Sequence, residues 1–147
     1  MNIYLLDTNT CIYFLNKSSD RIIARFQELS PSVIKLPAIT VAELFYGAEK
    51  SKAKKKNWDI VKSFVSNFEI ISFDANSCQV YAMIRASLEK TGAPIGPMDL
   101  LIASISLSNN FILVTNNIKE FKRIKTLKLE NWVWFLLTSY IYPGNSW

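Results

Sequence analysis

The sequence contains no histidine among its 147 residues, and this absence excludes more chemistry than any other feature of its composition. Without histidine there is no Ser-His-Asp triad, no Cys-His pair and no ribonuclease site built on histidine acid–base catalysis. Zinc and haem sites that contain histidine are excluded as well. If the chain is an enzyme, carboxylates, hydroxyls, amides, lysines or arginines must carry its chemistry.

Cysteine is scarce, and long hydrophobic runs are missing. The two cysteines, Cys11 and Cys78, are expected in apolar surroundings and form no CxxC motif, which is typical of proteins of the reducing cytosol. Asp7 interrupts the first apolar run, which argues against a secretion signal. The longest later run, 132–142, is too short for a span of about 20 residues. We therefore expect a soluble, cytoplasmic protein.

The composition favours one basic domain. Half of the residues are hydrophobic, and 17 Lys and Arg against 12 Asp and Glu give a net charge of +5. A basic balance suits a polyanionic partner such as nucleic acid, an anionic membrane or an acidic protein tail. The alternative is a lysine-rich surface that binds nothing anionic.

Apolar strands alternate with helical segments along the chain. The extended segments are Ile3–Leu6, Ser32–Ile39, Glu69–Phe73 and Phe111–Val114, with Pro37 marking an edge strand or a strand end. The helical segments are Thr8–Leu15 continued by Asp20–Leu29, Thr40–Lys50, Lys54–Asn67, a helix from Asp74 to about Lys90, and Met98–Leu107. This alternation predicts an α/β sandwich around a mostly parallel sheet, with a site beyond the carboxyl ends of the strands.

Three acidic residues stand where the pattern calls for apolar ones: Asp7 after the first strand, Glu43 within a helix, and Asp99 at the start of a nearly all-apolar helix. Each has a structural alternative. Asp7 could cap the following helix, Glu43 could complete a capping box with Thr40, and Asp99 could complement its helix dipole.

Taken together, the three acids favour a metal site. All are predicted at one edge of the sheet, where carboxylates in close proximity repel one another unless a cation or a proton intervenes. Mg²⁺ prefers oxygen ligands, and further oxygen donors stand beside the acids: Thr8, Asn9, Asn116 and Asn117. An acidic magnesium pocket on a basic protein points to phosphodiester chemistry, for which histidine is not needed.

At these residues the sequence resembles the PIN-domain ribonucleases, in particular the VapC toxins of bacterial toxin–antitoxin pairs. The matching segments are Leu6–Asn9, Ile39–Leu44 with Gly47-Ala48, Pro94–Ala103, Leu113–Asn117 with Glu120-Phe121, and Leu129–Trp132. The resemblance covers residues 1 to about 132. It predicts a PIN domain over 1–132 and a C-terminal extension of unknown role over 133–147.

The resemblance implies a PIN-like α/β/α sandwich and a metal-dependent endoribonuclease that blocks translation, using Mg²⁺ with Mn²⁺ as a substitute. Asp7, Glu43 and Asp99 would form the catalytic triad, with Asp7 and Asp99 as direct metal ligands and Thr8 and Thr115 in support. The implied substrate is structured RNA, with initiator tRNA as the candidate. The implied partners are a VapB-like antitoxin and a second copy of the chain.

One departure from the family pattern concerns the fourth acid. Many PIN domains carry an acid at the position of Asn117, which is neutral here, and Glu120 follows three residues later. Either Glu120 reaches the site or the pocket carries one negative charge fewer. The alternatives to a toxin are therefore a catalytically impaired module that binds RNA or antitoxin, a PIN nuclease acting on DNA flaps or in RNA maturation, and an α/β domain whose acids are helix caps.

Basic residues cluster in two stretches, 50–62 and 119–128. The second stretch begins beside the predicted pocket, so we expect contacts with the RNA backbone there. The residues predicted to bind RNA are Lys119, Lys122, Arg123 and, on the helix before the third acid, Arg85.

Overall fold

The computed structural model describes residues 1–133, which form a sheet of short strands connected by helices. The strands are β1 (Tyr4–Leu6), β2 (Ile34–Pro37), β3 (Glu69–Ile71), β4 (Ile112–Val114) and β5 (Lys128–Glu130). The α-helices are α1 (Thr8–Leu15), α2 (Asp20–Glu28), α3 (Ala38–Glu49), α4 (Lys54–Val65), α5 (Ala75–Lys90), α6 (Pro97–Ser108) and α7 (Ile118–Phe121).

All strand pairs in the sheet are parallel, and the strand order is β3-β2-β1-β4-β5. The chain moves outward from β1 to β3 and then crosses back to place β4 on the other side of β1. The carboxyl ends of β1 and β4 therefore form the switch point at which such sheets bind ligands. Leu6 and Val114 are paired there.

Helices cover the sheet on both faces. Successive side chains of a strand point to opposite faces, and the central strands β1 and β4 are apolar, so both faces must be buried. In β4, Val114 faces a core built with α1 to α4, whereas Leu113 faces a second core built with α5 to α7. Both residues are fully buried. The α/β/α sandwich predicted from the sequence is confirmed, and its sheet is entirely parallel.

The structure corrects several local predictions. The segment Asp20–Leu29 forms a separate helix capped by Ser19. Pro37 ends an interior strand, so the edge-strand alternative is wrong. Cys78 is exposed, whereas Cys11 is buried as expected. The sequence analysis missed α7 and β5, which have four and three residues and are too short to establish a period.

The capping box predicted at Thr40 is also wrong. Helix α3 begins two residues earlier, with Pro37 at the N-cap position. Thr40 is fully buried, and its hydroxyl donates a hydrogen bond to the Leu6 carbonyl oxygen at 3.1 Å. This bond ties the start of α3 to the end of β1, so it orients Glu43 on the next turn of the helix.

None of the helices within residues 1–133 has the length and apolar character needed to cross a bilayer. The predicted extension 133–147 lies outside the described residues, apart from Val133.

The described chain ends in a well-packed aromatic cluster. Trp132 is 1% exposed, and its ring meets those of Tyr4 and Phe26 edge to face, at 5.4 and 5.7 Å between centroids. The Arg25 guanidinium lies over both the Tyr4 and the Trp132 rings. Trp132 therefore links β1, α2 and the segment after β5.

We expect Trp132→Ala to lower the free energy of unfolding by about 3–5 kcal/mol, because it removes a large fully buried ring. Met83→Ala, at a side chain that is 71% exposed, is the matched control and should change stability by less than about 0.5 kcal/mol. Urea unfolding followed by circular dichroism measures both values. Equal stabilities of the two variants would contradict the packing described here.

Candidate active site

Asp7 directly follows β1 and lies almost wholly inside the protein, with 4% exposure. Its backbone N–H donates to the Val114 carbonyl oxygen at 3.1 Å, which fixes it to the end of β4. Its carboxylate accepts a hydrogen bond from the Thr10 N–H at 2.9 Å and therefore caps α1. The capping role considered for Asp7 is confirmed, and its role in a metal site stays a prediction.

The carboxyl group of Asp7 has a raised pKa because burial removes it from water. Hydrogen bonds from the Thr115 side chain and from the backbone and side chain of Thr10 act in the opposite direction. Thr115 is fully buried at the end of β4. The switch point therefore supplies the donors that favour the ionised form of Asp7.

Glu43 reaches the same edge of the sheet from the second turn of α3. The Thr8 hydroxyl donates a short hydrogen bond to Glu43 Oε1, and the Thr8 and Thr40 hydroxyl oxygens are 3.5 Å apart. Thr8 follows Asp7 directly. The first residue after β1 is therefore one of the acids, and the second residue binds another acid, Glu43. Glu43 is thereby held in place by α1 rather than by a cap of its own helix.

Asp99 projects from the first turn of α6 and is half-buried. Its pKa is raised to about 6 by burial first, and then by the negative charges of Asp7, Glu120 and Glu43. These electrostatic effects place all four acids in one neighbourhood. No Lys or Arg forms an ion pair with Asp7, Glu43 or Asp99 within the described chain.

Glu120, the candidate for the fourth acid, adds to the negative charge around Asp99. Its Oε1 accepts the Gly96 N–H at 2.9 Å, and its Oε2 accepts the Asn117 side-chain amide at 3.0 Å. The Asn117 bond and then the Gly96 bond lower the pKa of Glu120. Asn117 thus holds the Glu120 carboxylate, and Glu120 also ties α7 to the loop that begins α6.

The remaining predicted residues are distributed around this cluster. The Asn116 amide donates to the Tyr13 hydroxyl at 3.0 Å, away from the acids, and Asn9 is exposed on α1. Arg85 bonds to Tyr81 and Glu89 on its own helix. Arg123 bonds to the Pro94 carbonyl oxygen at 2.8 Å, and Lys119 and Lys122 are exposed.

Sequence reasoning missed the roles of Thr40 and Gly96. Thr40 acts through a bond to the neighbouring strand, and Gly96 acts through its backbone N–H. Neither contact has a signal in residue type or spacing, because both partners are distant in sequence.

The carboxylates of Asp7, Asp99 and Glu43 are the groups that could hold a metal ion. Within residues 1–133 no three Asp, Glu or Cys side chains are close enough to bind one ion as they stand. The donor set still fits a hard divalent cation, because it consists of oxygens whose mutual repulsion raises the pKa of Asp99. A cation there would offset that repulsion.

Comparison with known proteins agrees with this geometry. The family model described as "PIN domain" matches residues 4–127. The chain belongs to the PIN-domain family. Ribonuclease VapC2 of Rickettsia felis is 47% identical to this PIN domain over 131 residues, which is 88% of this chain and 98% of the relative.

A second relative is the tRNA(fMet)-specific endonuclease VapC of Salmonella typhimurium, which is 40% identical over 88% of this chain and 97% of the relative. Among solved structures, DNA-bound VapBC from Salmonella typhimurium matches 90% of this PIN domain and 99% of its own chain, with a TM-score of 0.85 and 38% identity. The matches confirm the predicted family, the predicted fold and the prediction of an enzyme of the nuclease class.

In metal-free protein, the burial of Asp99 and then the repulsion from its acidic neighbours should appear as a pH-dependent loss of stability. With the pKa raised from 3.8 to about 6, the folded form binds the proton more tightly than the unfolded form. The free energy of unfolding therefore falls as pH rises from about 4 to about 6. Because solvent screens a half-buried carboxylate, we expect Asp99→Asn to be more stable than the parent by about 1 kcal/mol at neutral pH.

Thermal unfolding in EDTA at about pH 7.5 and at about pH 4.5 tests this expectation. The advantage of Asp99→Asn should shrink toward zero at the lower pH. Asp59→Asn, at an exposed carboxylate on α4, is the control and should show no such trend. A constant difference at both pH values would contradict the electrostatic account.

Proposed function

We propose that this PIN-domain protein is a Mg²⁺-dependent endoribonuclease and the toxin of a toxin–antitoxin pair, cleaving structured RNA to block translation in the cytoplasm. The observation that carries the proposal is the group of four acids at the sheet's switch point on a protein of net charge +5. The names of the relatives, ribonuclease VapC2 and tRNA(fMet)-specific endonuclease VapC, support it.

In this proposal Asp7 and Asp99 hold Mg²⁺ directly, and Mn²⁺ is an alternative ion. When bound, the metal supplies a nucleophilic hydroxide and neutralises charge on the scissile phosphate. The Thr115 and Thr10 donors favour the ionised form of the buried Asp7 carboxylate, against the effect of burial. Glu120 has both oxygens engaged, so it contributes negative charge and fixes the loop before Asp99.

Glu43 is proposed to position the attacking water or to serve as a further metal ligand. Thr8 engages Oε1, which leaves Oε2 to accept a hydrogen bond from the attacking water or to act as a further ligand. Because the Thr8 bond fixes the rotamer, the water is aligned without reorganisation at the moment of reaction.

The proposed RNA substrate is a polyanion, and it must approach an acidic pocket. Positively charged side chains near the pocket are therefore needed to bind it. Lys119 and Lys122 are exposed on and directly after α7, next to Glu120 in sequence. Their ammonium groups suit the phosphates that flank the cleaved bond. Since one relative is named a tRNA(fMet)-specific endonuclease, we propose initiator tRNA as the substrate.

Incubation of the purified protein with initiator tRNA and with total RNA, in Mg²⁺ or in EDTA, tests the proposed activity. We expect discrete fragments with metal only, and losses of rate of at least about 100-fold in Asp7→Asn and Asp99→Asn. Asp59→Asn removes an exposed carboxylate that is not among the charges acting on Asp99, and it should cleave normally. Absence of cleavage by folded, antitoxin-free protein in both Mg²⁺ and Mn²⁺ would favour an impaired RNA-binding module.

The proposed antitoxin requires a docking surface beside the acids, and the structure has a groove there. It has a volume of about 310 Å³, lies between α1, α3 and α4, and is lined by Ile12, Leu44, Ile60 and Val61, with Glu43 also in its lining. Ile12 and Ile60 are 38% and 42% exposed. An apolar segment that ends in an arginine would fill this groove and pair with Glu43, which would compete with the cation.

Ile60→Asn should weaken binding of the cognate VapB-like antitoxin at least about tenfold while leaving RNA cleavage within about two-fold, because its side chain lines only the groove. Ile70→Asn, at an isoleucine of similar exposure on the edge strand β3, is the matched control and should bind antitoxin normally. Titration calorimetry measures both affinities. Equal affinities would place the antitoxin elsewhere.

A second copy of the chain is the other proposed partner. Sedimentation of the free protein tests this self-association.

A further inference from the structure

A second cavity lies between α5, α6 and the loop that joins them, and neither the acids nor the groove explain it. Its volume is about 250 Å³. Leu88 and Leu100, each 5% exposed, form its apolar base, and Pro94, Ile95 and Pro97 also line it. The cavity therefore has an apolar base and an apolar wall that includes two prolines.

The polar side of this cavity comes from one stripe of α5. Tyr81, Arg85 and Glu89 follow one another at helical spacing, and all three line the cavity. Arg85 donates to the Tyr81 hydroxyl at 2.8 Å and to Glu89 Oε2 at 3.1 Å. The guanidinium is thus held in one orientation, and the stripe offers hydrogen-bond donors and acceptors beside the apolar base.

The cavity adjoins the candidate active site through α6. Pro97 and Leu100 occupy one face of its first turn, and Asp99 lies between them in sequence on another face of the same turn. The loop wall is fixed to the site as well, because Gly96 bonds to Glu120 and Arg123 bonds to the Pro94 carbonyl oxygen. A ligand in the cavity therefore touches the same turn of α6 that carries Asp99.

The charges around the cavity match a nucleotide. Arg85 borders the opening, and Arg123 reaches the rim at Pro94. Apolar walls that accept the faces of a flat ring, together with fixed polar groups at its edge, are the means by which proteins hold unstacked bases. Arg123, the cation at the rim, suits the phosphate attached to the base.

We propose that this cavity is a nucleobase subsite, which takes an unstacked base of the RNA next to the cleaved bond. The inference rests on the proposed function for its substrate class. It assigns Tyr81, Arg85 and Glu89 to recognition of the edge of the base, and it assigns Ile95 and Leu100 to packing against the ring. Arg85 then contributes to choosing the cleavage position rather than to general attraction of RNA.

Binding of free nucleotides tests the subsite without relying on catalysis. Methyl NMR spectra of the Asp99→Asn protein are recorded during titration with AMP, GMP, CMP and UMP in turn. We expect the methyl signals of Ile95, Leu88 and Leu100 to shift with at least one nucleotide. Ile95→Trp, which fills the cavity, should abolish the shifts, whereas Met83→Trp, on an exposed face of α5, should retain them.

A second test of the subsite uses the RNA substrate itself. Once the cut is mapped, RNAs with a single abasic nucleotide at each flanking position are compared with intact RNA. One abasic position should raise KM about tenfold for the parent, with kcat within about two-fold. Arg85→Gln should raise KM for intact RNA similarly and lose most of the dependence on that position. Lys56→Gln, which removes an exposed positive charge from α4, is the charge-matched control.

The two arms separate failure of the subsite from failure of the proposed function. Nucleotide-induced shifts without RNA cleavage would retain the subsite and refute the nuclease. Cleavage with no shift for any nucleotide at millimolar concentration, and no sensitive abasic position, would overturn the subsite. Shifts that follow protein concentration instead of nucleotide would assign the cavity to contact between copies of the chain, and they would overturn it as well.

Discussion

Asp7 is a carboxyl group placed almost wholly inside the protein at the end of β1, and the candidate site is arranged around it. Burial raises its pKa, because a carboxylate loses its hydration when it leaves water. Hydrogen bonds that Thr115 and Thr10 donate to the carboxylate lower the pKa again. The backbone N–H of Asp7 donates to the Val114 carbonyl oxygen, which fixes the residue to the end of β4. These donors exist because the switch point of a parallel sheet places two strand ends side by side.

The other acids are positioned by contacts that cross between elements. Thr8 of α1 orients Glu43 of α3, Thr40 of α3 binds the end of β1, and Glu120 of α7 holds the loop before α6. Each bond joins a carboxylate or its support to a different segment of the chain. The acids therefore converge through the packing of the whole domain, and their mutual repulsion is a property of the folded state.

This arrangement divides labour between acidic and basic residues. The pocket itself carries negative charge that a cation would offset. Positively charged side chains lie on α5, on α7 and directly after α7, and a further basic stretch lies at 50–62. Arg123 stands between the two regions, because it belongs to the basic stretch yet binds the wall of the cavity beside Asp99. In the proposed function, Asp7 and Asp99 would hold a metal ion that neutralises charge on the scissile phosphate. The positively charged side chains would bind the phosphates on either side of it.

The sequence by itself determined the sandwich and the succession of its main strands and helices along the chain, and it predicted Asp7, Glu43 and Asp99 as candidate site residues. Polar groups in apolar segments and strand-to-helix alternation are local patterns, so they are legible without a structure. The tertiary structure alone decided the rest. It replaced the capping box at Thr40 with a bond to β1, directed Asn116 to Tyr13, used Asn117 to hold Glu120, and formed the cavity between α5 and α6. These features depend on contacts between residues far apart in the chain, and such contacts leave no period or spacing in the sequence.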